Sequence, residues 1–312
     1  MFKHCLFAMT LITAASSVAM ADPFDAKIVP ADAKWIIHID VDAVAKSAFW
    51  PMVEQRINGN PNTQAGVQKF EMIAGMTLPH DLHSVTLYGL GFNESEGIVV
   101  AKANANQQQL LALLQMNPSF NSVTHGEHEI VSWEDKGKTM HGAFFATDRV
   151  VISQTQENVE KALDILDGKG DALKADSVLA QPAGAGVLAG IASDAVAELA
   201  KKPENKNNPV FANITSAWIT ISEQNQNVTL KGTFGAADPT KAQQLKTSAE
   251  GLRALGMMLA TNESADPKLK MIAPLLPPLE ITSQGSNVMV NWTFPFAQIK
   301  TLAEQIQAAR AK

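Results

Sequence analysis

The chain has 312 residues, 46% of them apolar and 18% charged, with a mean hydropathy near zero and a net charge of −6. Those values exclude a disordered tail, a collagen-like fibre and a polytopic membrane protein. Lys and Arg never cluster beyond Lys201-Lys202, so neither nucleic acid nor an anionic membrane surface is an expected partner.

Residues 1–21 have the form of an export signal: Lys3, an apolar stretch over 6–15, and Val18-Ala19-Met20-Ala21 ending in a small-x-small pattern. Cleavage is expected after Ala21. The only cysteine, Cys5, falls inside this segment, so the processed chain is expected to carry no thiol, disulfide or lipid anchor. That excludes Cys-based zinc sites and thiol nucleophiles. A short Ala-rich signal points to the periplasm of a Gram-negative cell, with secretion as the alternative. The sequons at Asn93, Asn213, Asn227, Asn262 and Asn291 would be read only in a eukaryotic secretory path. No later apolar run is long enough to span a membrane, so the chain is not expected to be membrane-embedded.

Along the chain, alternation predicts a strand over 35–41, followed by a helix that Asp42 caps and Pro51 kinks or restarts. Strands over 84–92 and 98–103 flank a turn at 94–96 and lead into a helix with Leu110, Leu111 and Leu114. A hairpin over 120–133 comes next. Strands over 140–146 and 150–153 then enter a helix with Val159, Leu163 and Leu166. A Gly/Ala/Asp-rich stretch over 167–186 separates this series from a second one.

The second series opens with a strand over 187–191 and a helix capped by Ser193 or Asp194. Strands over 217–222 and 227–234 follow, then a helix with Asp238 as N-cap and Pro239 at its first position. Strands over 280–284 and 288–294 join at Gly285-Ser286 and lead into a helix striped by Phe296, Ile299, Leu302 and Ile306. Four ββα units predict an α+β fold in two similar halves, 22–180 and 181–312, each an antiparallel sheet with helices on one face.

Pro30-Ala31-Asp32-Ala33, the strand end His38-Ile39-Asp40 and a helix with Ser47 resemble the opening of a group of uncharacterised exported bacterial proteins. Those proteins are built as duplicated α+β domains. The resemblance implies that architecture and no activity.

Chemistry-bearing motifs are few. Gly184-Ala185-Gly186-Val187-Leu188-Ala189 fits a dinucleotide pattern, but the strand begins inside it rather than before it. No cofactor is expected. His38, Asp40 and Asp42 alternate on one side of their strand, which suits either a half-buried strand or a hard-metal ligand set. His125 and His128 at a hairpin tip, with His141 nearby, are weak metal candidates beside Glu127 and Glu129, and His80-Asp81-Leu82-His83 is a looser cluster.

The third candidate surface is the polar sheet side. Tyr88 and Trp218 stand there among Thr229, Lys231 and Asn291, an arrangement suited to a sugar, a peptide or a flat ligand. On this parity Trp218→Ala is expected to spare folding, and Trp292→Ala, on the apolar side, to damage it. The sequence therefore points to an exported, non-catalytic binding or interaction protein whose partner is a periplasmic protein, peptide or glycan. A hydrolase-type enzyme using Asp40, Asp42, Glu127 and Glu129, or a divalent-metal binder, are the alternatives.

Overall fold

The computed structural model describes residues 22–181, 186–202, 213–261, 270 and 273–310. The expected signal with Cys5, the Gly184-Ala185 part of the dinucleotide-like pattern and the sequon at Asn262 lie outside the described residues.

The strands are β1 (Trp35–Asp40), β2 (Leu82–Gly89), β3 (Gly97–Ala103), β4 (Asn121–His125), β5 (His128–Asp135), β6 (Lys138–Phe145), β7 (Arg149–Ser153), β8 (Val187–Ile191), β9 (Ser216–Gln224), β10 (Asn227–Gly235), β11 (Leu279–Gln284) and β12 (Asn287–Pro295). The helices are α1 (Val41–Lys46), α2 (Trp50–Asn58), α3 (Pro61–Ala74), α4 (Gln107–Gln115), α5 (Gln156–Leu166), α6 (Ser193–Ala200), α7 (Pro239–Ala260) and α8 (Phe296–Arg310).

Helix starts follow local chemistry. Asp238 accepts the amide of Lys241 at 2.8 Å, with Pro239 in the first turn, as expected. Asn60 and Pro61 start α3, a helix absent from the sequence reading, by the same device. The cap of α1 is Asp40 rather than Asp42, because β1 stops one residue earlier than alternation suggests. Asp42 instead meets His83 Nδ1 at 3.2 Å. Helix α6 begins without a side-chain cap, so neither Ser193 nor Asp194 plays that part.

All strands join one antiparallel sheet, in the order β11-β12-β10-β9-β8-β1-β2-β3-β7-β6-β5-β4. Outward from the β1–β8 pair, β1-β2-β3-β7-β6 and β8-β9-β10-β12-β11 repeat the same succession, with the β4–β5 hairpin added beyond β6. Ile36 stands opposite Gly190 in that central pair. The main apolar core draws Tyr88, Val159 and Leu163 from one series and Leu188 and Trp218 from the other.

Cross-strand partners share a face, so the register sorts every strand residue onto one of two sides. On one side Val100, Ile130, Ala143 and Val151 lie under Val159 and Leu163 of α5, while Val29 and Leu179 belong to the same core as Ile36, Tyr88 and Trp218. Helix α7 packs Ala242 and Leu245 against Phe234, Ile281 and Val288, which point to the other side. Helices therefore lie on both faces of the joint sheet. An amphipathic stripe specifies that a helix packs on a sheet and leaves open on which face.

Candidate functional site

Burial along the central strands runs against hydrophobicity. In β1, Ile36, His38 and Asp40 are buried at 1, 3 and 0% exposure, whereas Trp35 and Ile39 are half-buried and Ile37 is 38% exposed. In β2, Ser84, Thr86 and Tyr88 are buried and Val85 and Leu87 are half-buried. The same alternation leaves Val99 and Ala101 of β3, Val150 and Ile152 of β7, Val187 and Ala189 of β8, and Ile219 and Ile221 of β9 on the open side.

None of these open-side residues belongs to a buried apolar cluster of the described residues. Burying an Ile or Leu side chain is worth about 1.5–3 kcal/mol, whereas burying a polar group costs free energy unless it is hydrogen-bonded. In β1 and β2 the covered side therefore carries polar residues beside Ile36 and Tyr88, while apolar residues of the same strands stay on the other side. The face is contiguous and apolar, with Ile37, Ala189 and Ile221 exposed and its other residues half-buried, and a large exposed apolar patch is one mark of a binding surface.

One end of that face deepens into a cavity of about 240 Å³ between α1, the turn after it and strands β8 and β9, lined by Val44, Phe49, Gly186, Val187, Ile221 and Glu223. Its walls are pinned. Glu223 accepts the Ala48 amide at 2.6 Å with one oxygen and the Gln226 amide at 2.8 Å with the other, tying the α1–α2 turn to the β9–β10 hairpin. Phe49 makes an edge-on contact with Phe296 of α8, 4.9 Å between centroids. Gly186 has a φ of 134°, and a β-carbon there would lie 2.2 Å from the Ile221 carbonyl oxygen, so the cavity floor requires glycine.

The residues singled out from sequence divide. Tyr88 and Trp218 do share a face, since Tyr88 pairs with Ile36, Ile36 with Gly190 and Gly190 with Trp218. That face is the covered one. Tyr88 is fully buried and Trp218 is 4% exposed, so neither ring lines a concavity open to a partner. Burial pushes the Tyr88 hydroxyl well above its ordinary pKa, and that hydroxyl has no hydrogen-bond partner among the described residues.

Thr229, Lys231 and Asn291 do come together: Lys231 stands opposite Asn291, Thr229 bonds Thr293 between hydroxyls at 3.0 Å, and Asn291 donates to Glu280 at 3.1 Å. By register they lie on the same face as Trp218, farther along β10 and β12, where Lys231 and Asn291 are exposed while the ring is buried. Trp292 is half-buried on the opposite side, its indole donating to the Leu275 carbonyl at 2.5 Å.

Four of the histidine candidates, His80, His83, His125 and His128, each bond a carboxylate. His125 and His128 face one another across the β4–β5 pair, yet His125 Nε2 bonds Asp164 at 2.9 Å and His128 Nε2 bonds Asp167 at 3.1 Å, both carboxylates belonging to the end of α5 and its cap. His141 stands between Ser132 and Ser153, and burial lowers its pKa. His80 bonds Asp81, and His83 bonds Asp42. Among the described residues no three or more His, Cys, Asp or Glu side chains are grouped so as to hold a metal ion. Nor is any described helix long and apolar enough to cross a membrane.

The open face escaped sequence reading although its signal was present. Trp35, Ile37 and Ile39 alternate with His38 and Asp40, a pattern that separates two faces without saying which of them is covered.

No family model matches the chain, and no curated protein matches it. Solved structures with a similar course of the backbone are crystal forms III, I and IV of TP0453, a Treponema protein. Each is 12% identical to this chain, with TM-scores of 0.48, 0.44 and 0.47, over 92, 92 and 91% of this chain and 99, 98 and 97% of theirs.

Proposed function

We propose that this is an exported, non-catalytic binding protein that takes an apolar ligand, an acyl chain or a hydrophobic ring system, on its open sheet face. The observation that carries the reading is the burial pattern of β1 and β2, where His38, Asp40, Ser84 and Thr86 are inside while Ile37 is exposed and Leu87 only half-buried, with Ala189 of β8 and Ile221 of β9 exposed beside them on the same face. The cavity beside Phe49 is just below the ~300 Å³ at which small-molecule pockets begin, and it is continuous with the flat apolar surface of Val187 and Ile221. An elongated ligand suits that combination, with one end inserted and the rest laid across the strands. The signal-like segment over 1–21 supports delivery to the periplasm.

Palmitate and 8-anilinonaphthalene-1-sulfonate are suitable probes. The processed protein should bind the dye saturably, and palmitate should displace it. Trp35 lies on the open face, so its fluorescence should shift. The double variant Ile37→Ser/Ile221→Ser should keep its melting temperature and lose at least roughly tenfold in affinity. Failure of palmitate to displace the dye, or full affinity in the double variant, would refute the reading.

A further inference from the structure

A second cleft, polar and on the covered face, is occupied by the beginning of the described chain. The Asp22 carboxylate accepts the Ser84 hydroxyl at 2.5 Å and the Lys102 ammonium at 3.0 Å. Its backbone carbonyl accepts His38 Nε2–H at 3.1 Å. The Phe24 ring then stands 5.7 Å from that of His38 on β1 and 6.1 Å from that of Trp218 on β9, so it contacts one strand from each series.

Ser84, Lys102 and Arg149, neighbours in one row of the sheet, lie on the floor of this cleft, and Asp40 continues the row beneath its edge as the partner of Ser84. Arg149 and Asp25 complete the charged lining. Asp40 has no exposed surface. One of its oxygens caps α1, and the other, Oδ2, has no hydrogen-bond partner among the described residues. A buried carboxylate oxygen left in that state is costly. It stands directly across from the serine that holds Asp22, at the ~5 Å spacing of paired residues.

We propose that Asp40 is the acceptor for the α-ammonium of Asp22, formed when the signal is removed, so that processing completes this cleft and fixes Phe24 across the seam of the sheet. Hydrolysis of the Ala21–Asp22 amide consumes one water, leaves the carboxyl group on Ala21 and puts an amino group on Asp22, which is protonated at neutral pH. Among the described residues Asp40 Oδ2 lacks a partner, and the new cation supplies one. Its carboxylate, carbonyl and aromatic contacts are already built. The inference rests on the export reading for the cleavage point and is independent of the ligand.

The test compares two chains made with defined ends by cleavage of a fusion, one starting at Asp22 and one retaining Ala19-Met20-Ala21. The processed chain should melt several degrees higher, and an amine-reactive acyl reagent at pH 7 should modify its α-amine at least roughly tenfold more slowly. Asp40→Asn in the processed chain should abolish both differences while still capping α1, since Asn caps as well as Asp. Equal melting and equal amine reactivity of the two unsubstituted chains would overturn the proposal without requiring any variant to fold. Slow amine reactivity persisting in Asp40→Asn would remove Asp40 as acceptor. A native protein found to begin elsewhere than Asp22 would refute the cleavage point, and the defined chains would still report on the cleft.

Discussion

Trp218 lies across β8 in the space above Gly190, its cross-strand partner, and a β-carbon at Gly190 would stand 2.5 Å from the indole. Gly190→Ala should therefore destabilise by about 1–3 kcal/mol through overpacking, against a ring that cannot move without opening the core. Trp218→Ala should cost about 3–5 kcal/mol, reversing the expectation drawn from strand parity. Urea denaturation of the two variants beside the parent chain gives both values. A near-neutral Trp218→Ala would mean that the ring is not packed as described.

Tyr88 offers the opposite sign. Its hydroxyl is buried without a hydrogen-bond partner among the described residues, so Tyr88→Phe removes a desolvation cost and little else. The variant should be more stable by about 1 kcal/mol, read as a higher urea midpoint at unchanged slope. A loss of stability would reveal a partner for the hydroxyl.

His38 makes stability pH-dependent. The Asp22 carbonyl can only accept, so Nε2 carries the proton and Nδ1 accepts from the Thr86 hydroxyl at 2.9 Å, which is the neutral imidazole. Burial holds its pKa below the ordinary value, outweighing the carboxylates of Asp40 and Asp22. The unfolded chain then takes up a proton as pH falls below about 6.5 while the folded chain does not, so stability is full above that pH and declines beneath it.

Asp22 contributes a later loss. Burial opposes its charge, yet bonds from Ser84 and Lys102 keep its pKa below 3.8, so its contribution disappears only in stronger acid. His38→Gln should flatten the first decline and leave the second, as measured by chemical denaturation from pH 7 to 3. An unchanged profile would place the first decline on another group.

The cap of α7 is separable from all of this. Asp238→Ala should cost about 1 kcal/mol and Asp238→Asn almost nothing, because the amide oxygen can still accept from Lys241. Equal losses in the two variants would indicate that charge rather than capping is at work there.

Local elements were legible because each is set by neighbours in the chain. Residues 187–191 form β8 as alternation predicts, and Asp238-Pro239 starts α7. Pro51 sits in the first turn of the restarted helix α2. The omission of α3 came from its weak apolar stripe, although Asn60-Pro61 signalled its start.

What could not be read is which face of the sheet is covered. Alternation separates Ile37 and Ile39 from His38 and Asp40 with certainty, yet the two sets are exchanged by choosing the other side for α5 and the segment around Leu179. That choice depends on contacts between residues more than a hundred positions apart. Tyr88 and Trp218 fall on one face, as alternation predicts, and that face is the interior one rather than the exterior that their Thr neighbours suggest.

The union of β1 with β8 also dictates an order of assembly. Residues paired in that seam, such as Ile36 and Gly190, are about 150 positions apart, so the loop they close is among the longest in the chain and its entropy is paid late. Until β8 arrives, β1 is an unpaired edge with Ile37 and Ile39 on one side and Tyr88 of the neighbouring strand on the other. Such an edge readily joins a foreign strand. A nascent chain therefore has a vulnerable interval, between completion of its first series and the arrival of residue 187, in which a holding chaperone would be most needed.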